Sequence, residues 1–436
     1  MVRIGRRRFL QGTGAAAVCG VGVVAGLSGR RWWEAGTRPN PTPVAQEPAV
    51  EPFTVEARYY TSFVGDGSLN CTACHNTPEE PLPVSYCHTP HGGNFVQCSL
   101  CPHRCVIAAG ERGLCRVREN RGGRLYSVVY GNPCAVHVDP IEKKPFYHFL
   151  PSATAFSIAT AGCNLRCLYC QNWNISQAPP EETDNADLPP QDVVRSAQQA
   201  GAPVIAYTYS DPTVFYEYVM DCARLGREAG LRSAVISAGF IEQEPLVELC
   251  HAVDAIKIDL KGYDAGFYRK VCSAELAPVL RSIEIVHKAG VHLELVNLVV
   301  PGLNDNLDQL RGLARWVARE LSPDVPLHFS RFQPQYKLAN LPPTPVETLD
   351  QARQIAGEEG LRFVYVGNVP GHPGNNTYCP VCGRAIILRE GFTVTDYHIS
   401  GDKCAFCGAA IPGVWWPADL PGKAPGKVRP GLRSDQ

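Results

Sequence analysis

Short apolar runs alternate with longer amphipathic stretches between about residues 151 and 371. Apolar runs of this length, bounded by Gly, Pro or Asp, are typical of buried strands. They cover residues 155–160, 204–209, 232–237, 255–260, 292–300, 327–332 and 363–366. The stretches between them have helical periodicity over residues 212–229, 244–251, 277–289, 307–320 and 346–359. This order predicts an α/β fold whose parallel sheet curls into a full or partial barrel.

Polar residues follow the predicted strands, and in such barrels the chemistry lies at the carboxyl ends of the strands. Side chains at these ends are expected to hold a ligand: Ser210, Asp211, Pro212, Ser237, Asp259, Lys261 and Asn297. Ser210 and Asp211 are alternatively an ordinary helix cap, and Asp259 and Lys261 a salt bridge at the rim. His328 and Ser330 share one face of the sixth strand, where a histidine is commonly structural.

A cysteine loop follows the first predicted strand directly. Cys163, Cys167 and Cys170 have C-x₃-C-x₂-C spacing. Three thiolates can hold an iron–sulfur cube and leave one of its four irons open to a small chelating molecule. We expect these cysteines to be cluster ligands and the catalytic centre. The alternatives are a zinc knuckle or three unrelated core cysteines.

Composition indicates several domains and abundant metal chemistry. The chain has 436 residues, 45% of them hydrophobic, and a formal net charge of −1, which gives no general case for binding nucleic acid or a charged membrane surface. Its 19 cysteines are an odd number and are mostly clustered, which favours metals over disulfides. The isolated Cys222, Cys250 and Cys272 are interpreted as core or surface residues.

Two further cysteine sets have metal-site spacing. The first set, nearer the N-terminus, consists of Cys98, Cys101, Cys105 and Cys115. Zinc or a second cluster would fit this set, with His103 as an alternative ligand. The remaining alternative is that these thiols are reduced and simply buried. Near the C-terminus, two C-x₂-C-G knuckles predict a zinc-ribbon-like site, with a single iron or paired disulfides as alternatives: Cys379, Cys382, Cys404 and Cys407.

Cys71, Cys74 and His75 form the C-x₂-C-H pattern of c-type haem attachment. A zinc or cluster site is the alternative, completed by Cys87 with His88 or His91. The third interpretation is that no metal binds there.

The N-terminus resembles an export signal. The paired arginines within residues 6–8, before Phe9 and Leu10, resemble a twin-arginine signal, and a short, weakly apolar stretch follows them. This segment could be cleaved or retained as a membrane anchor. The alternative is a basic tail on a cytoplasmic protein. The predicted division is a signal or anchor (1–30), a Pro-rich linker (31–52), a cysteine-rich domain (53–150), a barrel (151–375), a ribbon-like module (376–416) and a disordered tail (417–436).

Tyr169, placed before the last cysteine of the loop, completes a pattern that resembles the signature of the radical S-adenosylmethionine (SAM) superfamily. Most of the chain is similar to the radical SAM component of the AmmeMemoRadiSam system, a relative of pyruvate formate-lyase activating enzymes. Beyond the cysteine sets, the resemblance rests on residues 139–145, 171–172, 207–209, 212–218, 259–262 and 300–305.

The resemblance implies a radical SAM partial barrel with a 4Fe-4S cluster on Cys163, Cys167 and Cys170. Tyr169 and the polar strand-end residues named above are then expected to bind SAM. Ser210 and Asp211 stand where the family usually has Asn-Glu in its SAM amino-group motif, so this chain departs from the pattern there.

The predicted function is reductive cleavage of SAM, followed by hydrogen abstraction from an unidentified small molecule or protein. An external donor of ferredoxin or flavodoxin type is expected to supply the electron. An activase would in addition need a glycyl protein partner. The alternative functions are a cluster- and haem-containing electron-transfer protein with a silent barrel, and a metal-stapled binding module.

Overall fold

The computed structural model describes residues 52–65 and 93–416. Several predictions lie outside these residues. They are the signal-type segment, nearly all of the linker, the tail from residue 417, and the Cys71, Cys74 and His75 pattern with its alternative ligands.

Eight strands form the central sheet, and their order in the sheet follows their order in the chain. They are β1 (Ala135–Pro140), β2 (Thr154–Ala159), β3 (Val204–Tyr207), β4 (Arg232–Ser237), β5 (Ala255–Asp259), β6 (His292–Val299), β7 (Leu327–Arg331) and β8 (Val364–Gly367). Strands β2 to β8 are parallel, and β1 pairs antiparallel with β2. With β1 and β8 at its two edges, the sheet is a partial barrel.

The seven strands expected from the sequence are all present, and β1 is an addition. In its sequence, AVHVDP, polar His137 and Asp139 interrupt the apolar residues, and its middle residues His137 and Val138 are exposed. Pro140 cannot donate a ladder hydrogen bond, which suits an edge strand. The pattern of a half-exposed edge strand is weaker than that of a buried one, so sequence reasoning missed it.

A helix follows each of the strands β2 to β7 before the next strand begins. These helices are α1 (Pro190–Gln199), α2 (Tyr216–Glu228), α3 (Gln243–Ala252), α4 (Leu276–Lys288), α5 (Leu307–Trp316) and α6 (Val346–Glu358). Sequence reasoning missed α1 and began α2 too early, because Pro212–Phe215 is a separate 3₁₀ turn. It also ended α5 too late, because Val317–Leu321 is a π-helical turn.

Two small antiparallel sheets precede the barrel. One contains Val55–Glu56, Arg118–Arg121 and Arg124–Ser127, and the other Tyr60–Gly65, Gly93–Cys98 and Val106–Ile107. A third antiparallel sheet follows the barrel, with strands Thr377–Tyr378, Ala385–Glu390 and Thr393–Tyr397, and then a hairpin of Ile399–Ser400 and Lys403–Cys404. This last part packs on the barrel through a cluster that includes Tyr147, Phe363 and Tyr365.

In the described part of the chain, we find no helix that is both long and apolar enough to cross a bilayer.

Candidate functional site

The cysteine loop leaves the carboxyl end of β2 and is held against its neighbours by backbone contacts. Gly162 has a φ of +85°, and a Cβ there would lie 2.4 Å from the carbonyl oxygen of Cys115. The backbone N–H of Arg166 donates to the carbonyl of Cys272 at 3.0 Å, and that of Leu168 to the carbonyl of Val271 at 2.9 Å. The loop is therefore a fixed structure despite having no regular secondary structure.

The structure brings Cys163, Cys167 and Cys170 into this one loop at the end of the sheet. The backbone N–H of Leu165 donates to Sγ of Cys163 at 3.4 Å, and Sγ of Cys170 lies 3.2 Å from Oγ of Ser176. Burial raises the pKa of the Cys163 and Cys170 thiols. Ionising these thiols in place therefore requires a positive partner of the kind an iron cluster supplies.

Cys272, interpreted from sequence as a core or surface residue, is buried beside this loop. Its Sγ lies 3.5 Å from the hydroxyl of Tyr169, and its side chain is a neighbour of Cys167. Cys222 and Cys250 are also buried in the main core. The prediction of core cysteines is confirmed for all three, but the proximity of Cys272 to Cys167 had no local signal in the sequence.

Asp211 and Ser237 meet at the carboxyl ends of β3 and β4. Asp211 accepts hydrogen bonds from the backbone N–H of Thr213 at 3.0 Å and of Ala238 at 2.8 Å, and from Oγ of Ser237 at 3.1 Å. Ser210 is buried and donates to the carbonyl of Thr160 at 2.7 Å. Asp211 therefore caps the turn that begins at Pro212 and also joins the two strand ends.

Asp259 lies between two lysines at the end of β5. Its Oδ2 is 2.9 Å from Nζ of Lys261, and its Oδ1 binds the buried Lys257. Burial alone would raise the pKa of Asp259, but the two lysines hold it at about 2. Asp259 and Lys261 thus form an ion pair, and although burial lowers the pKa of Lys261, the charge of Asp259 raises it overall.

Asn297 on β6 is fully buried, and one of its polar atoms is unused. Its Nδ2 donates to the carbonyl of Leu260 at 2.8 Å. Its Oδ1 has no hydrogen-bond partner among the described residues. A buried acceptor of this kind is costly unless a ligand satisfies it.

A cavity of about 420 Å³ opens beside the cysteine loop. Tyr169 and Gln171 from the loop line it on one side, and His328 and Ser330 from β7 on another. Gly391 and Phe392 from the C-terminal part complete its wall. The cavity therefore adjoins the cysteine loop and has the size of a small-molecule site.

Glu142 also lines this cavity and was missed by sequence reasoning as a functional group. It is fully buried, and its Oε1 accepts from the backbone N–H of Ser152 at 2.8 Å while its Oε2 has no partner among the described residues. Nε of the buried Arg389 is 3.9 Å from Oε1. Burial raises the pKa of Glu142 to about 7.

Glu294 on β6 is a second buried acid that the sequence did not reveal. It accepts hydrogen bonds from the backbone N–H of His148 at 2.8 Å, from Nε2 of His328 at 2.8 Å and from Nε2 of His292 at 3.0 Å. Burial alone would raise its pKa, but these donors hold it well below the usual range. His328 is thus tied to a carboxylate, which agrees with the structural role weighed for it.

Four thiols in the C-terminal part converge at close range. The Sγ atoms of Cys379 and Cys407 are 3.6 Å apart, and those of Cys382 and Cys404 are 3.9 Å apart. All four Sγ atoms lie within 4.8 Å of one another. In residues 52–65 and 93–416, we find no other group of three or more Cys, His, Asp or Glu ligand atoms that are this close together. This geometry is compatible with a bound metal ion.

The N-terminal thiols converge separately. Cys98, Cys101, Cys105 and Cys115 line one small cavity, which also contacts Asn164 in the cysteine loop. The structure thus brings together each described cysteine set that the spacing predicted.

Comparison with known proteins found a matching family model, similar sequences and similar solved structures. Residues 157–317 match the radical SAM superfamily. Uncharacterized protein MJ0808 of Methanocaldococcus jannaschii is 49% identical over 320 residues, which are 73% of this chain and 95% of the relative. The pyruvate formate-lyase 1-activating enzyme of Escherichia coli (strain K12) is 22% identical over 220 residues, 47% of this chain and 89% of the relative. A domain of the pyruvate-formate lyase-activating enzyme from Bacteroides vulgatus ATCC 8482 is 18% identical in structural alignment, with a TM-score of 0.34 over 37% of this chain and 98% of that chain.

The partial barrel, its cysteine loop and these sequence matches define an enzyme of the radical SAM class. The chain belongs to the radical SAM superfamily, in the family it shares with MJ0808, and is homologous to pyruvate formate-lyase activating enzymes. Membership implies a 4Fe-4S cluster and SAM as cofactors.

Proposed function

We propose that Cys163, Cys167 and Cys170 hold the 4Fe-4S cluster and that a substrate binds in the adjoining cavity of about 420 Å³. The observation that carries this proposal is the shared wall: Tyr169 and Gln171 belong to the cysteine loop and also line the cavity. When bound, the cofactors supply a 5′-deoxyadenosyl radical by one-electron cleavage of SAM. A radical formed at the loop would reach a substrate in the cavity without crossing bulk water.

The chain's own residues position and shield the reactants. Arg166 and Leu168 fix the loop backbone, so the three thiols keep their spacing. Asn297 offers its unpaired Oδ1 to a donor on SAM, and the partly buried Lys261 places its positive charge near Cys167. Ser210, Asp211 and Ser237 join two strand ends next to the loop, where the family has its SAM amino-group motif.

The resemblance to the AmmeMemoRadiSam component and to activating enzymes supports hydrogen abstraction from a substrate that the sequence does not name. The cavity favours a small molecule or a protruding protein segment, since its volume is that of a small-molecule site. We further propose a one-electron donor of ferredoxin or flavodoxin type, and export or anchoring through the N-terminal signal.

The C-terminal thiols are proposed to hold zinc. A tetrahedral zinc with Zn–S bonds of about 2.3 Å holds its sulfurs about 3.8 Å apart. The measured separations of 3.6 and 3.9 Å bracket this value. The same C-terminal part contains the hairpin whose Gly391 and Phe392 line the cavity. A bound metal would therefore help to fix the position of this side of the cavity.

The test is formation of 5′-deoxyadenosine from SAM by anaerobically reconstituted, dithionite-reduced protein. Cys167→Ala is expected to abolish the product, because the loop loses one of three ligands. Cys250→Ala, at a buried cysteine on α3, is the matched control and should retain it.

Equal turnover by Cys167→Ala and the wild type would contradict the proposal. If the wild type forms no 5′-deoxyadenosine but its metal centres accept electrons, the electron-transfer alternative is favoured. A positive haem stain on the full chain would add Cys71, Cys74 and His75 to that relay.

A further inference from the structure

Four N-terminal cysteines that are distant from the catalytic loop in sequence line a single buried cavity. Cys98 ends one strand, Cys101 and Cys105 lie in the turn after it, and Cys115 precedes the next sheet. The turn is closed by a hydrogen bond from the Cys98 N–H to the Cys105 carbonyl at 2.9 Å and another from the Arg104 N–H to the Cys101 carbonyl at 3.0 Å. All four cysteines line this cavity together with Arg118.

Backbone groups and a positive charge lie near these sulfurs. The backbone of Leu100 lies near the sulfur of Cys98, that of His103 near the sulfur of Cys101, and that of Val117 near the sulfur of Cys115. The guanidinium of Arg118, whose side chain is 2% exposed, lies beside Cys98 and Cys115. Thiolates bound to a metal need such surroundings, whereas neutral buried thiols do not.

The spacing of the sulfurs differs from that of a single-ion site. The C-terminal thiols of the same chain converge within 4.8 Å, but no three of the N-terminal thiols do. A cluster of several irons holds its thiolates farther apart than one ion can, because the irons and sulfides lie between them. The wider arrangement around a common cavity therefore favours a cluster over zinc.

His103, the alternative ligand considered from the sequence, lines the same cavity, and one of its two ring nitrogens is engaged in a hydrogen bond. Its Nε2 donates to the carbonyl oxygen of Asn164 at 2.7 Å. Asn164 directly follows Cys163, and the Cys115 carbonyl packs against Gly162 on the other side of that cysteine. Thr213 and Val214, just after Asp211 and Pro212, line the same cavity as the four thiols. The N-terminal site is thus in direct packing contact with both halves of the proposed SAM site.

We propose that Cys98, Cys101, Cys105 and Cys115 bind a second iron–sulfur cluster that relays electrons to the cluster on the catalytic loop. The relay rests on the proposed function, whereas cluster binding does not. For each SAM cleaved, an external low-potential carrier loses one electron. The second cluster gains this electron and passes it to the first cluster. The electron then enters the C–S bond of SAM, which breaks to give methionine and the 5′-deoxyadenosyl radical.

Metal content of the full chain, reconstituted anaerobically with iron and sulfide, tests cluster binding. A Cys163→Ala/Cys167→Ala/Cys170→Ala variant should retain about four irons of the roughly eight in the wild type, together with about one zinc at the C-terminal site. Adding Cys98→Ser and Cys101→Ser should remove the remaining iron. Cys134→Ser, at a cysteine outside the cavity, is the matched control and should change neither count.

Loss of all iron in the triple variant would overturn the proposal, as would a second zinc in place of iron. These counts need no SAM cleavage, so they stand even if the proposed function fails. The relay is tested by Cys101→Ser alone. It should lose at least tenfold in 5′-deoxyadenosine formation with reduced flavodoxin as donor, and less with dithionite, which can reduce the loop cluster directly. Equal losses with both donors would overturn the relay.

Discussion

The burial of Glu142 is not indicated by the residues next to it in the sequence. Glu142 belongs to the polar segment 139–145, yet its carboxyl group is fully buried beside the cavity of about 420 Å³. Arg389, which lies much later in the chain, is the nearest positive charge and makes only a long contact of 3.9 Å. The carboxyl group is therefore stabilised in its neutral form at the pH where most glutamates are charged.

Stability should consequently depend on pH through Glu142. The pKa of Glu142 is about 7 in the folded state and 4.5 ordinarily. Between pH 4.5 and pH 7, therefore, Glu142 is mostly protonated in the folded state and mostly ionised in the unfolded state. The contribution is full below about pH 4.5 and is lost as pH rises through 7, on the order of 3 kcal/mol in total. In Glu142→Gln, urea unfolding from pH 5 to 8 should show a smaller fall in free energy than in the wild type. Glu111→Gln, at an exposed glutamate, is the control, and a slope unchanged by Glu142→Gln would refute the assignment.

Individual residues were predictable where the chemistry is encoded in local spacing. Cys163, Cys167 and Cys170 could be proposed as one site because their spacing alone places them in one loop. Asp211 could be placed at a helix start, but its bonds to Ser237 and Ala238 depend on two strands being adjacent. Glu142, Glu294 and Cys272 carried no local signal, since each is defined by partners far away in the chain.

Gly162 determines how the catalytic loop leaves β2. Its φ of +85° lies in the left-handed region, and its missing side chain admits the carbonyl of Cys115 from the N-terminal cysteine site. Any Cβ would also meet Val117 at 2.7 Å. The turn thus couples the two proposed cluster sites through direct backbone contact.

Gly162→Ala should therefore be far more disruptive than an alanine at another left-handed glycine. Both Gly162→Ala and Gly201→Ala cost about 1–2 kcal/mol for the positive φ, but at Gly201 a Cβ meets nothing within 4 Å. At Gly162 overpacking adds about 1–3 kcal/mol more, and the loop must shift. Urea unfolding and iron content of the reconstituted proteins measure the difference. Equal stability and equal iron in the two variants would show that the close contact is unimportant.

Elements were predicted best where both faces are buried. The parallel strands β2 to β8 gave strong apolar runs, whereas β1, exposed in its middle, gave none. Helix ends were less reliable, because the 3₁₀ turn at Pro212–Phe215 and the π-helical turn at Val317–Leu321 continue the helical periodicity. The antiparallel pairing of β1 depends on the whole sheet, so it could not be derived from that segment.

In the described residues, two cysteine-bearing parts pack on the barrel, and the sequence could identify these parts but not orient them. The N-terminal sheets contact α2 through a buried ion pair, with Nη2 of Arg118 2.7 Å from Oε2 of Glu217. The C-terminal part packs through Tyr147, Tyr365 and the buried His148, whose Nδ1 donates to the Pro412 carbonyl at 2.7 Å. Such long-range pairings involve residues without distinctive local patterns, which is why spacing found the metal sites but not their arrangement.

The Arg118–Glu217 pair should accordingly control how firmly the N-terminal part is attached. Arg118→Met leaves Glu217, 5% exposed, without its partner and should cost about 3–5 kcal/mol in urea unfolding. The double variant Arg118→Met/Glu217→Gln removes the unpaired negative charge of Glu217 and keeps an acceptor for the backbone N–H of Arg58. It should therefore recover a substantial part of the lost free energy of unfolding. Arg124→Met, at an exposed ion pair with Glu56, should change stability little. A double variant less stable than Arg118→Met would show that the two charges do not act as a pair.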